Sequence, residues 1–314
     1  MPAGIGSTMR PPKVSVGMPV YNGERHIRQA IESILTQDYE DFELIISDNA
    51  SSDATGEICR SYANADARVR YYRNETNIGA SPNHTRVFEL AKGEYFKWAA
   101  HDDECLPSLL GRCVRILEEA PTSVVLVYPQ CVIIDEEGRV TREYRVSIQA
   151  KDRWPHRRVA QVLKSVELGT PAFGVSRVSV LRQTRLIDSF HTSDYVLFAE
   201  LAMLGEIWEI PEILLRKRDY SGRGTAANKT MQEFDAWMDP LQKKRRRILP
   251  LLHKIAWEYV KSAYRLPLSQ SEQLLCAGTA LYCHYVRHNQ DRAQRWRGRL
   301  ARLIGIRLEP GGNA

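Results

Sequence analysis

In EYFKWAAHDDECLP, residues 94–107, an apolar and aromatic run stops abruptly at His101, Asp102 and Asp103. Two neighbouring carboxylates can hold a hard divalent cation, because Mg²⁺ and Mn²⁺ favour oxygen ligands and typically take one or two carboxylates together with substrate phosphates. The same pair could instead cap the following helix, whose N-terminus favours negative charge. The dyad alone does not choose between metal site and cap. Two other apolar runs end in a similar way, VSVGMPV at Tyr21 and Asn22, and ELIIS at Asp48 and Asn49.

These residues need a scaffold that brings their ends together. VSVGMPV is β-rich and closes on the turn cluster Pro19-Val20-Tyr21-Asn22-Gly23, after which Ile27, Ala30, Ile31, Ile34 and Leu35 fall at helical spacing. Strand and helix then alternate through ELIISDNA, SSDATGEICRSYA, VRYYRN, SPNHTRVFELAKG, EYFKWAA, LPSLLGRCVRILEEA and SVVLVYPQCVIID. This alternation predicts an α/β protein with a Rossmann-like, mostly parallel sheet covered by helices. In such sheets ligands bind beyond the carboxyl ends of the strands, so the three polar strand ends should share one rim. Farther on, EEGRV reads as a hairpin turn, KDRWPHRRVAQVLKSVEL as a helical excursion and GTPAFGVSRVSVL as a return to strand. SDYVLFAELAMLGE reads as a helix with Asp194 at its N-terminus, and IWEIPEILLRKRDYS as strand and loop. After Thr225, basic Leu-rich segments broken at Pro250 and Pro267 predict a C-terminal helical appendage.

The chain has 314 residues, and its 43% hydrophobic content suits a globular protein with a sizeable core. Its N-terminus has no apolar h-region and no stretch reaches the roughly 18 apolar residues of a membrane span, which predicts a cytosolic chain. Six cysteines without a CxxC pair point to reduced, buried thiols rather than zinc or disulfides. The net charge of +6 conceals an asymmetry: residues 240–314 hold fifteen Lys and Arg against four Asp and Glu, leaving residues 1–239 net acidic. A cationic end favours anionic surfaces such as phospholipid or nucleic acid, with a merely solvated helical face as the plainer alternative.

PVYNGERHIRQAIESILTQDYEDFELIISDNASSDAT, NIGASPNHTRVFELAKGEYFKWAAHDDECLP and TSDYVLFAELAMLGEIWEIPEILLRKR, continuous in order and spacing from about Lys13 to Arg218, resemble the family 2 glycosyltransferases of the GT-A fold. The resemblance implies transfer of a sugar from a nucleoside diphosphate donor to an acceptor hydroxyl, with inversion and the help of Mn²⁺ or Mg²⁺. It implies a glycosyltransferase domain over 13–225, with a nucleotide-sugar half (13–135) and an acceptor half (136–225), between a flexible 1–12 and a basic helical 226–314. Pro19, Val20, Tyr21 and Asn22 would line the base pocket, with Asn77 also binding the donor. Asp48 would take the imide N–H of a pyrimidine, so a UDP-sugar is the expected donor ahead of dTDP- and GDP-sugars. The family's Asp-x-Asp appears here as Ala100-His101-Asp102-Asp103, so the two aspartates would share the contacts to donor ribose and metal. Asp194 would be the catalytic base, removing the acceptor proton as that oxygen attacks opposite the departing diphosphate. Ser193 stands where a partner Glu is frequent, and a plain helix cap by Ser193 and Asp194 is the competing reading. A cation among Arg216, Arg218 and Arg223 would help the metal neutralise the leaving group, which counts Arg218 among the donor-binding residues. Tyr220 replaces a His that relatives often place there. Acceptor choice would fall to Gly169 through Gly174, His191 and the C-terminal helices.

Two other classes compete. A sugar-nucleotide synthesising nucleotidyltransferase would use a similar sheet, but no glycine-rich phosphate loop with a following Arg or Lys succeeds the first strand. A nucleic-acid-binding protein is suggested by the basic tail alone, and no nucleic-acid partner is expected. Arg292-Ala293-Gln294-Arg295-Trp296 fits the R-x-x-R-W pattern of processive synthases, yet it lies far beyond Asp194 and lacks flanking spans, so a basic helix with a packed or interfacial Trp is simpler. Two uses of the cationic helices stand equally: docking at the inner face of a membrane to reach a lipid-linked acceptor, and homo-oligomerisation.

Overall fold

The computed structural model describes residues 10–144, 146–222, 224–228, 230–240 and 250–303, with side chains of the last helix up to residue 289. Residues 1–9 of the expected N-terminal tail, Arg223, and the side chains of Arg292 through Trp296 lie outside the described residues. Strand and helix alternate at first: β1 (Val14–Val20), α1 (Ile27–Leu35), β2 (Phe42–Asp48), α2 (Thr55–Ala65), β3 (Val69–Arg73), α3 (Ala80–Glu89) and β4 (Tyr95–Trp98). There follow β5 (Glu104–Cys105), α4 (Leu109–Glu119), β6 (Val124–Ile134), β7 (Val140–Tyr144), α5 (Pro155–Ser165), a 3₁₀ turn (Thr170–Phe173), β8 (Val175–Arg177) and α6 (Val178–Leu181). The remainder is α7 (Ser193–Leu204), β9 (Glu206–Arg218), α8 (Gly224–Ala227), α9 (Met231–Met238), α10 (Leu251–Arg265) and α11 (Gln270–Leu303).

Every residue of β1 and β2 is buried, which is why both read as continuous apolar runs: helices cover both faces of the sheet and leave no side for alternating polar residues. The sheet runs β3-β2-β1-β4-β8-β6-β9-β5, with β7 added to β6. From β3 to β4 all pairs are parallel, as expected from the alternation. The three-residue β8 then lies antiparallel to both β4 and β6, and β9 runs parallel to β6. Two reversals restore the original direction, so the carboxyl ends of β6 and β9 reach the same sheet edge as those of β1, β2 and β4.

Two expectations change. GTPAFGVSRVSVL is a 3₁₀ turn, a short strand and one helical turn rather than a continuous strand. Pro171 lacks a ladder donor, and a Cβ on Gly174 would sit 2.4 Å from the Val127 carbonyl oxygen, so this segment crosses closely over β6 instead of extending it. Asp102 and Asp103 do not cap the next helix, because α4 begins only at Leu109.

The C-terminal helices are packed onto the sheet domain. Ile255, Tyr259 and Ala263 of α10 and Cys276, Ala280 and Cys283 of α11 belong to the same hydrophobic cluster as Val159 and Val162 of α5 and Val196, Phe198 and Ala202 of α7. Arg185, which precedes α7, pairs with fully buried Glu200 of α7 (3.1 Å) and with Glu258 of α10 (2.6 Å), and Ser262 donates to Glu200 at 2.7 Å. All six cysteines are buried and free. No helix among the described residues is long and apolar enough to cross a membrane.

Candidate active site

Beyond the carboxyl ends of β1, β2 and β4 opens a cavity of about 430 Å³. The turn after β1 contributes Pro19, Val20, Tyr21 and Asn22 to its wall, the end of β2 contributes Asn49, and Asn77 approaches from the loop before α3. Ala100, His101 and Asp102 follow β4, while Lys217 and Tyr220 come from the end of β9 and Trp237 from α9. Of the expected donor-binding residues, Pro19, Val20, Tyr21, Asn22, Asn77 and Asp102 thus meet at one surface. Asp48, Asp103, Arg218 and Asp194 do not lie on that wall.

Asparagines hold the strand ends in place. Asn49 Nδ2 donates to Asn77 Oδ1 (2.8 Å), Asn74 Nδ2 donates to Asn49 Oδ1 (2.9 Å), and Asn83 Nδ2 donates to the Ser47 carbonyl (2.8 Å). Asn22 spans the neighbouring gap, its amide donating to Ser51 Oγ (2.9 Å) and its Oδ1 accepting from the Ser52 amide (2.8 Å). Asn22 and Ala50 have positive φ angles of 51° and 62°. Such backbone persists where surrounding bonds over-determine it, and it clusters at working sites.

Fully buried Asp48 anchors this rim from beneath. It accepts hydrogen bonds from the Ser51 amide (2.8 Å), the Tyr71 hydroxyl (2.7 Å) and Arg73 (2.6 Å). Burial opposes its ionisation, but the bonds from Ser51, Tyr71 and Arg73 outweigh it and hold the carboxyl below the usual range. Asp103 turns inward, where Oδ1 accepts the Arg218 amide (2.8 Å) and Oδ2 lies 3.7 Å from Lys217 Nζ. Arg218 is almost wholly buried, and its five guanidinium N–H groups are taken by the carbonyls of Asp102, Asp135 and Glu136 and by the side chains of Gln29 and Glu104. It therefore shapes the 102–104 segment and offers the cavity no donor.

Lys217 is the cation the sequence reading passed over. It lines the cavity, stands 4.6 Å from the centre of the Phe173 ring, and favours the ionised form of Asp194. The signal was available: side chains alternate along a strand, so Lys217 must face opposite to Arg216 and Arg218. Those two arginines bind Glu104 (2.6 Å each) on the other side. His84 was missed as well. Its Nδ1 lies 2.8 Å from the Ala80 carbonyl and burial pushes its pKa down, so Nδ1 carries the proton and Nε2 is an acceptor in the cavity wall.

Asp194 is the second residue of α7. Thr192, at φ 62°, occupies the cap position without a side-chain cap bond. Asp194 is half-buried, and a Cβ on Gly169 would fall 2.6 Å from its Oδ2. Burial pushes its pKa from 3.8 up to about 6, against the opposing pull of the Tyr195 amide (3.0 Å) and the Lys217 charge. That range suits a group that accepts a proton near neutral pH.

Among the described residues no three His, Cys, Asp or Glu side chains form a metal cage. Asp102 on the wall fits a hard divalent ion that receives most of its oxygens from a diphosphate and one carboxylate from the protein.

Comparison with known proteins gives a consistent picture. The model of glycosyl transferase family 2 matches residues 15–184. An uncharacterized glycosyltransferase of Rickettsia typhi is 25% identical over 295 residues, covering 88% of this chain and 89% of its own. GalNAc(5)-diNAcBac-PP-undecaprenol beta-1,3-glucosyltransferase of Campylobacter jejuni is 28% identical over 191 residues, 60% of each chain. Residues 1–349 of S. aureus TarS, solved with UDP-GlcNAc, superpose with a TM-score of 0.62 at 16% identity, over 87% of this chain and 73% of that one. The mannosyltransferase PcManGT of Pyrobaculum calidifontis, solved with GDP-Man and Mn²⁺, gives 0.52 at 16% identity, over 90% and 88%. These superpositions identify the architecture as GT-A.

Proposed function

The chain belongs to glycosyl transferase family 2 and is a glycosyltransferase, and on that premise we propose that it inverts the anomeric centre as it moves a sugar from a UDP-sugar, or another pyrimidine diphosphate sugar, to a hydroxyl of a lipid-linked acceptor. The observation that carries this reading is the combination of a cavity wall bearing Asp102 and Lys217 with a nearby half-buried carboxylate, Asp194, whose pKa is pushed up to about 6.

In this reading the nucleoside lies against Tyr21, Asn22, Asn49 and Asn77. Asp48 keeps that wall rigid and holds Arg73, whose partly exposed guanidinium stands at the end of β3. Lys217 sits against the diphosphate, so its charge offsets the one that develops as the bond between C1 and the phosphate oxygen breaks. Asp102 and the donor phosphates would hold Mn²⁺ or Mg²⁺, which supplies further charge neutralisation when bound. The acceptor hydroxyl attacks C1 from the face opposite the diphosphate, its proton passes to Asp194, and the nucleoside diphosphate leaves with the electron pair of the broken bond. Asp194 must be ionised to take that proton, and burial maintains its basicity. The lipid-linked acceptor is supported by the undecaprenol-linked substrate in the name of the Campylobacter jejuni relative, a nucleoside diphosphate sugar as donor by the UDP-GlcNAc and GDP-Man bound in the solved neighbours, and the choice of UDP by the first of these alone.

A thermal-shift series with UDP-, dTDP- and GDP-sugars, with and without Mn²⁺, tests the donor half. A ligand at about a hundred times its Kd adds roughly 2.7 kcal/mol to stability. UDP-sugar should stabilise most, with a Mn²⁺ increment that Asp102→Ala removes. Preference for a GDP-sugar, or pyrophosphate release from UTP and a sugar 1-phosphate, would overturn the reading.

A further inference from the structure

Of the ten large apolar side chains that stand exposed among the described residues, six lie on one hairpin: Trp257 and Tyr264 of α10, and Leu274, Leu275, Tyr282 and Val286 of α11. Their spacing puts them on the outer side. Trp257 and Tyr264 are seven residues apart, whereas Ile255, Ala256, Tyr259 and Ala263 form the buried face of the same helix. On α11, Leu275, Tyr282 and Val286 recur at helical intervals opposite buried Cys276, Ala280 and Cys283. Leu274 and Tyr282 are both 65% exposed, and this concentration is unusual for a protein surface that faces only water.

The surroundings are cationic. Leu274, Leu275 and Tyr282 form one wall of a groove whose other wall, on α5, carries His156, Lys164 and Arg157, the last 3.6 Å from Asp152. Lys254 and Lys261 share the outer side of α10 by their spacing with Trp257, although Lys261 is paired with Glu258 at 2.7 Å. Gly278, in the middle of the stripe, has open space where its side chain would be. Apolar and aromatic side chains along one face with Lys and Arg around them is the pattern of an interfacial helix, in which the apolar stripe enters the headgroup boundary and the cations meet anionic lipid.

We infer that the outer face of the α10–α11 hairpin, with the α5 groove beside it, is a docking surface for an anionic phospholipid bilayer. The basic residues make the partner an acidic surface, and the exposed Trp, Tyr and Leu side chains make it one with an apolar interior. This reading goes beyond the chemistry proposed above and does not depend on it.

The test is flotation of the full chain with phosphatidylcholine vesicles, with and without phosphatidylglycerol. The protein should float with the phosphatidylglycerol vesicles, and binding should fall as salt rises. Leu275→Glu combined with Tyr282→Glu should lower partitioning at least about tenfold. The same variant should retain its thermal midpoint in the absence of vesicles, which separates a failure of docking from a failure to fold. Equal flotation with neutral vesicles, or unchanged flotation of the double variant, would overturn the inference. So would light scattering that shows a dimer dissolved by the double variant while vesicle binding persists, because the face would then be an interface between two copies.

Discussion

Replacing Asp194 with asparagine should slow sugar transfer severely and, at the same time, make the protein more stable at neutral pH. The folded-state pKa is pushed up from 3.8 to about 6, chiefly by burial. A rise of roughly two units corresponds to about 3 kcal/mol by which the fold disfavours the ionised form, and this is an upper figure for a carboxylate with some solvent access. The sign follows from the direction of the shift: the folded state binds the proton more tightly than the unfolded chain does. The penalty is therefore absent below 3.8, grows between 3.8 and about 6, and is complete above that. Denaturant unfolding of both proteins at pH 8 should find the variant more stable by as much as about 3 kcal/mol, and the gain should vanish near pH 4. Turnover of the same variant should fall by about 10²–10⁴-fold, the usual contribution of a positioned base. In the wild type, kcat/KM should drop about tenfold per pH unit below pH 6, since only the ionised base is competent. A variant that is less stable at pH 8, or wild-type activity that stays flat to pH 5, would refute the assignment of Asp194 as a half-buried base.

Lys217→Met should move the acid limb of the pH profile to higher pH, because the lysine favours ionised Asp194, and should lower kcat about 10²-fold by removing charge from the leaving-group side; a profile that keeps its wild-type position would count against the coupling. Gly169→Ala places a methyl 2.6 Å from Oδ2 of Asp194, close enough to displace the carboxylate, so kcat should fall while donor binding by calorimetry stays within about twofold of wild type. Arg218→Met should lower stability by about 3–5 kcal/mol, read by denaturant unfolding, since it strands five protein acceptors around a buried site.

The parallel half of the sheet was legible because buried strands and amphipathic helices alternate with the period of each element. β1 was readable to the residue from VSVGMPV, and the rim followed from the rule that polar strand ends of parallel neighbours share an edge. The short strands were harder to read: β8 was placed within GTPAFGVSRVSVL but its three-residue extent was not, and β5, of two residues, is too short for a periodicity and pairs only because β9 returns to it from far along the chain. Side-chain direction was the other limit. Sequence put Asp102 and Asp103 together, and the fold turned one to the cavity and the other to the Arg218 amide. Trp237 had no local signal, since it reaches the cavity only because α9 folds back over Gly224, where a Cβ would lie 2.5 Å from its ring. The role of Lys217 could have been found by carrying strand alternation to the end of β9.

The shared core between α7 and the C-terminal helices has a further meaning for reach. Glu200 sits six residues beyond Asp194 on the same helix, and it accepts a hydrogen bond directly from Ser262 of α10. A hairpin anchored in this way is a mount and not a tether: whatever surface it rests upon, Asp194 stands at a height and tilt fixed when the chain folds. Such a geometry would act as a ruler, selecting acceptors whose reactive hydroxyl rises that far from the surface and passing over those that end short of it or carry it beyond.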